Sequence, residues 1–110
     1  MKKGDVILIP FPFTDMSGIK TRPALVLNND LYDVTVAFIT SQIIKKDLND
    51  VELTPSQLNG LKLESVIKLN KLATLDKQLI LGKLGQLNDV ELAEVDKGLI
   101  IVFDIIYKQT

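Results

Sequence analysis

The 110-residue chain has no cysteine, no histidine and no tryptophan. Without cysteine there is no disulfide framework, no thiolate nucleophile and no structural zinc of the usual thiolate type. Without histidine the commonest general base and metal ligand is missing as well. Any chemistry must therefore proceed without imidazole or thiol. Aromatic residues make up 5% of the chain, with only two tyrosines, which leaves no aromatic cluster of the kind that lines a peptide groove. Arginine is nearly absent too: Arg22 is the only one, and every other cation is a lysine. A planar, permanently charged fork for phosphate or carboxylate has a single candidate. The first apolar run is broken by Pro10 and Pro12, too short for a signal core or a membrane span, so a cytoplasmic location is expected. A net charge of −1 and a pI near 5.3 argue against a strongly basic nucleic-acid coat protein while leaving room for a local basic patch.

What is present is a globular balance, 46% hydrophobic and 25% charged, at a length expected for one domain over residues 1–110. Val6-Ile7-Leu8-Ile9 predicts a first strand closed by Pro10-Phe11-Pro12-Phe13. Thr14 to Thr21, with Asp15, Ser17 and Gly18, carries turn chemistry and predicts an exposed loop that delivers Arg22 to the next strand. Ala24-Leu25-Val26-Leu27 and the β-branched run Val34 to Thr40 predict two strands in a hairpin or meander. Val51-Glu52-Leu53 alternates as a strand, Thr54 to Leu58 suggests a single helical turn, Ser65 to Leu69 is extended, and Leu72 to Leu75 adds a short strand. Asp76 to Leu87 fits either a strand pair or a helical turn. At the end, Asn88 as N-cap with Glu91 three residues on predicts a helix whose face Val95, Leu99, Val102 and Ile106 packs on the sheet. The expected class is mainly β: a small, partly closed barrel of short strands with a C-terminal helix.

Four runs then carry a resemblance over nearly the whole chain: Gly4-Asp5-Val6-Ile7-Leu8-Ile9, Phe11-Pro12-Phe13-Thr14-Asp15, Lys20-Thr21-Arg22-Pro23-Ala24-Leu25-Val26-Leu27 and Ile39-Thr40-Ser41-Gln42. Ser65 to Leu72 and Thr74 to Lys77 follow in the same order. In order and spacing the sequence resembles the MazF/PemK family of toxin endoribonucleases. The resemblance implies an SH3-like barrel of antiparallel strands, a homodimer, metal-independent and sequence-specific cleavage of single-stranded RNA, no cofactor, and neutralisation by a cognate antitoxin. It further implies that Arg22 and Thr40 are central to the site, with Lys68 where the family commonly has a second arginine and Asn70 where it has an acid. Asparagine cannot act as a base. Thr14, Asp15, Ser17, Lys20, Ser41, Gln42 and Asn70 complete the expected substrate-binding set.

The residue chemistry supports part of this directly. Metal-free cleavage needs the 2′-OH to attack phosphorus in line while charge builds on the non-bridging oxygens, so a fixed cation is the first requirement. Arg22 suits it, and the following Pro23 biases its backbone to an extended conformation. Thr40 offers a hydroxyl to donate, as a stabiliser and not a base. Arginine stays protonated far above neutrality, so Arg22 is assigned charge stabilisation. Lys68 would serve as a general acid only if burial or another cation lowered its pKa, and Asp15 is the sequence-adjacent candidate for a base. Lys45, Lys46, Lys20, Lys68 and Lys71 could line an RNA track, and Phe11 and Phe13 could stack bases. Gly82-Lys83-Leu84-Gly85 lacks the length and ending of a phosphate-binding loop. A binding module on the same fold, one that inhibits a gyrase-type protein target or only binds an antitoxin, is the alternative; Asn70, Ala73 in place of an arginine, and the acidic pI favour it.

Overall fold

The computed structural model describes residues 1–11, 20–43 and 46–106. Six strands run in chain order, β1 (Asp5–Phe11), β2 (Lys20–Asn29), β3 (Asp33–Thr40), β4 (Val51–Leu53), β5 (Ser65–Asp76) and β6 (Gly82–Gln86), followed by α1 (Asp89–Val102). A 3-10 turn, Lys77–Leu79, separates β5 from β6. The strands form one curled antiparallel sheet in the order β4-β5-β3-β2-β1-β6. This is the expected mainly-β, SH3-like barrel with a C-terminal helix. The strands expected at Val6–Ile9, Ala24–Leu27, Val34–Thr40 and Val51–Leu53 lie inside β1 to β4, and β2 and β3 are paired neighbours as the hairpin reading requires.

Strand alternation divides the apolar residues between two faces. One set, including Val6, Leu25, Ala37, Ile39, Leu53, Ile67 and Leu69, meets Val95 of α1, with Leu92, Leu99 and Val102 packed beside it. The other, Ile7, Ile9, Ala24, Val26, Val34, Val36 and Leu75, forms a second core with Phe38, Leu79 and Ile80 at its edge. Each fully buried aliphatic side chain contributes about 1.5–3 kcal/mol, so neither face is free to turn outward.

The helix starts as expected: the Glu91 N–H donates to Asn88 Oδ1 (2.7 Å) and the Asn88 N–H to Glu91 Oε1 (2.9 Å), a complete capping box. Its end differs. Asp104, at φ 52°, closes a left-handed cap in which the N–H groups of Asp104 and Ile105 donate to the carbonyls of Ile101 and Ile100. Ile106 therefore falls beyond the helix and is 79% exposed, so the packed face stops at Val102.

One further expectation is corrected, one is shifted along the chain, and one segment with two open readings takes a definite form. Ser65–Leu69 and Leu72–Leu75 are one strand, because Ala37 pairs with Leu72 and Phe38 with Lys68, leaving Leu69, Asn70 and Lys71 as a bulge in β5. Leu69 turns into the core, while Asn70 and Lys71 are exposed. The single helical turn expected at Thr54–Leu58 is present two residues further on, where the Gly60 N–H donates to the Ser56 carbonyl (3.0 Å). Its fold is set by buried Asn59, whose Oδ1 accepts from the N–H groups of Ser56 and Leu61 while its Nδ2 donates to the Thr54 carbonyl. Asp76–Leu87 is part 3-10 turn and part strand.

The β4–β5 connection also closes the barrel. The Gln86 N–H of β6 donates to the Leu58 carbonyl (2.9 Å). A Cβ on Gly85 would lie 2.1 Å from the Leu58 oxygen, and one on Gly60 would lie 2.2 Å from the Leu84 oxygen. Two glycines thus permit a backbone-to-backbone seam, and Gly60 also needs its φ of +71°.

Candidate active site

Arg22 is the third residue of β2, opposite Ile9 of β1. On its other side β2 pairs with β3 from Ala24↔Phe38 inward, and the same register carried two residues outward sets Arg22 opposite Thr40. Residues opposed in this way share a face, so guanidinium and hydroxyl emerge together where the second core ends. Two grooves meet there. The first, about 380 Å³, runs from Arg22, Thr40, Ser41 and Gln42 to the seam residues Gly60, Leu61 and Lys62. The second, about 280 Å³, runs from the same Arg22, Thr40 and Gln42 to Phe11, Phe38, Lys68 and Lys71.

The Gln42 N–H donates to Thr40 Oγ1 (3.1 Å). That occupies an acceptor site on the oxygen and leaves the hydroxyl hydrogen to be donated into the groove. Arg22 is exposed and forms no ion pair among the described residues. The arrangement offers a planar cation and a neutral donor, side by side, to one anionic group.

Lys68 behaves differently. It is 6% exposed, and its Nζ stands 2.7 Å from Asp47 Oδ2 and 2.7 Å from Asp50 Oδ2. Burial alone would lower its pKa, but the hydrogen bonds and charges of the two carboxylates outweigh burial and hold it above the ordinary lysine value. The condition for a lysine general acid is not met. Asn70 lines neither groove; its Nδ2 donates to Asp47 Oδ2 (3.1 Å). The hydrogen bonds from Lys68 and Asn70 in turn hold the Asp47 carboxyl below the ordinary carboxylate value.

Of the other expected residues, Ser41 and Gln42 line the first groove, and Lys20 is exposed at the start of β2, paired with Phe11. Thr14, Asp15 and Ser17, with Phe13 and Lys45, lie outside the described residues. Lys46 is paired with Glu52. Phe11 is 44% exposed and meets Phe38 edge-on, with ring centroids 5.9 Å apart. Among the described residues no three Asp, Glu, His or Cys side chains form a ligand set for a metal ion.

Residues 2–103 match the family described as the PemK-like, MazF-like toxin of type II toxin-antitoxin systems. The chain belongs to this family. The PemK/MazF match extends from before Gly4 to the cap of the terminal helix, so both grooves fall inside it. The endoribonuclease EndoA of Bacillus subtilis is 33% identical over 114 residues, covering 96% of this chain and 97% of its own. The endoribonuclease MazF of Staphylococcus saprophyticus is 34% identical over 108 residues, covering 90% and 88%. Among solved structures, a mycobacterial endoribonuclease in complex with its cognate antitoxin superposes with a TM-score of 0.76 at 17% identity, covering 98% of this chain and 99% of that one. That likeness confirms the fold.

The grooves include residues that the sequence did not single out. Gly60, Leu61, Lys62 and Ser65 line the first groove because the seam carries the β4–β5 connection over to β6. The Asn59-Gly60 pair was the available signal, since that dipeptide marks a tight turn. Asp47 and Asp50 had none, being ordinary loop aspartates until β5 brings Lys68 against them.

Proposed function

We propose that this protein is the toxin of a type II toxin-antitoxin system and acts as a metal-independent, sequence-specific endoribonuclease on single-stranded RNA. The observation that carries this reading is that Arg22, without an ion-pair partner among the described residues, and Thr40 both line the two grooves where these meet. Membership in the PemK/MazF family and the two relatives named as endoribonucleases support it.

The RNA backbone crosses from one groove to the other with the scissile phosphate between Arg22 and Thr40. The Arg22 fork grips two non-bridging oxygens, and Thr40 donates its hydroxyl hydrogen to an oxygen that gains charge as the adjacent 2′-OH attacks. The O2′–P bond forms as the 2′-OH gives its proton to solvent water, and the P–O5′ bond breaks as the leaving O5′ takes a proton from water, giving a 2′,3′-cyclic phosphate and a 5′-OH. Lys68 remains protonated and contributes charge, not a proton. Lys20, Ser41 and Gln42, with Thr14, Asp15 and Ser17 of the 12–19 segment, contact the nucleotides on either side. The toxin works in the cytoplasm as a homodimer, needs no cofactor, and is neutralised by an antitoxin segment that covers the grooves. The mycobacterial neighbour solved with its cognate antitoxin supports an antitoxin as partner.

The test is incubation of purified protein with single-stranded RNA of varied sequence in EDTA, followed by analysis of the new ends. Cleavage leaving 5′-OH ends, reduced at least about 10²-fold in Arg22→Ala, is expected. No cleavage of any sequence, or cleavage indifferent to Arg22→Ala, overturns the reading; binding to an antitoxin or topoisomerase without RNA turnover would then favour a non-catalytic toxin.

A further inference from the structure

The second groove is floored by a lysine whose charge is already engaged. Lys68 Nζ is held by Asp50 Oδ2 and by Asp47 Oδ2, each at 2.7 Å. The two aspartates differ in setting: the Asp50 side chain is 1% exposed and the Asp47 side chain 49%. They also brace each other, since the Asp47 N–H donates to Asp50 Oδ2 (2.8 Å) and the Asp50 N–H to the Asp47 carbonyl (3.2 Å). Asn70 adds a hydrogen bond to the same Asp47 oxygen from the β5 bulge. Three donors, the Lys68 ammonium, the Asn70 amide and the Asp47 N–H, thus converge on two carboxylates, and the result is a short segment, 47–50, fastened to the strand that carries Lys68.

We propose that Asp47 is a positioning residue of the cleavage site, fixing the Lys68 ammonium in the second groove beside Arg22 and Thr40. Asp47 acts through Lys68 and does not touch the reacting atoms. Its cost is electrostatic. One ammonium between two carboxylates leaves a net negative charge around a lysine that lines a groove meant for a polyanion, so binding is weakened in exchange for a fixed cation. The direction of the Lys68 pKa agrees with a permanently charged group held in this way.

The inference rests on the endoribonuclease reading, and its signature is a split between kinetic constants. In Asp47→Ala the ammonium loses one of its two carboxylates and gains freedom to move, while a negative charge is removed from beside it. The expectation is a kcat about tenfold lower with a KM about threefold lower at low salt, and partial recovery of kcat in Asp47→Glu. A positioning role also predicts a slowly exchanging Lys68 ammonium resonance by 15N NMR in the wild type that broadens in Asp47→Ala. Unchanged kcat and KM, a raised KM at unchanged kcat, or an unaltered ammonium resonance would each overturn the proposal. Because Asp50→Asn strips a buried partner and risks unfolding, Asp47 is the informative site. Failure of the wild type to cleave RNA would refute the proposed activity, whereas the ammonium resonance tests the clamp independently of it.

Discussion

At the level of single residues, the chemistry available at the groove junction is set by which cations are already engaged. Lys68 is tied to two carboxylates and Lys46 to Glu52, whereas Arg22 faces the junction with no acidic partner among the described residues. Thr40 is prepared by the Gln42 N–H, which directs its hydroxyl hydrogen away from the strand. Replacing Thr40 by valine keeps the shape and removes the donor. Thr40→Val should lower kcat about 10²-fold with RNA binding little changed, while Thr40→Ser should stay within about tenfold of the wild type. Single-turnover cleavage beside binding of a 2′-deoxy substrate analogue would separate the two effects; equal rates for Thr40→Val and wild type would remove the hydroxyl from the mechanism.

At the level of elements, the helix start and the first four strands were legible because local chemistry decides them, whereas Arg22 and Thr40 were brought together only by the resemblance to the family. An Asn-x-x-Glu capping box and β-branched runs act over a few residues and need no distant partner. The β5 bulge and the seam were not legible. Leu69 is drawn inward because the core beneath α1 has room for it against Gly98, where an added Cβ would lie 2.4 Å from Leu69 Cδ1. That choice depends on packing between elements far apart in sequence. It also decides the fate of Asn70, which sequence register placed among the substrate contacts and which the bulge turns toward Asp47. The seam explains two glycines in physical terms and yields a contrast within one strand. Gly85→Ala forces a Cβ onto the Leu58 and Asn59 backbone and should cost about 1–3 kcal/mol while displacing the Lys62 wall of the first groove. Gly82→Ala, with nothing within 4 Å, should be neutral or slightly stabilising. Urea unfolding midpoints of the two variants check this; equal midpoints would mean that the seam does not close the barrel.

At the level of the whole molecule, a chain with net charge −1 places Arg22, Lys62 and Lys71 along its grooves, no acid among the described residues lines either one, and some acids serve as structural anchors. Asp5 is the clearest anchor. It is buried at the start of β1, accepts from the Lys2 N–H (2.9 Å), and stands 3.4 Å from the ammonium groups of Lys2 and of Lys83 on β6. The N-terminus, β1 and the edge strand β6 are thereby joined at one carboxylate, at the side where Leu87 N–H also donates to the Gly4 carbonyl. Burial alone would raise the Asp5 pKa; the Lys2 backbone hydrogen bond and the Lys83 and Lys2 ammonium groups outweigh it and hold the carboxyl below its ordinary value of 3.8. A depressed carboxylate pKa stabilises the folded state above the unfolded value, and that contribution disappears as pH falls through the folded one. Stability should therefore be flat in this respect at neutral pH and decline below about pH 4, with one such group contributing at most about 1.4 kcal/mol per pH unit. Asp5→Asn should be less stable than the wild type at pH 7 and should lose part of the acid-side slope, so the two stability curves converge toward pH 2. Thermal unfolding across pH 2 to 7 measures both curves, and parallel curves would show that Asp5 does not titrate with folding and that the β1–β6 edge is held by backbone pairing alone.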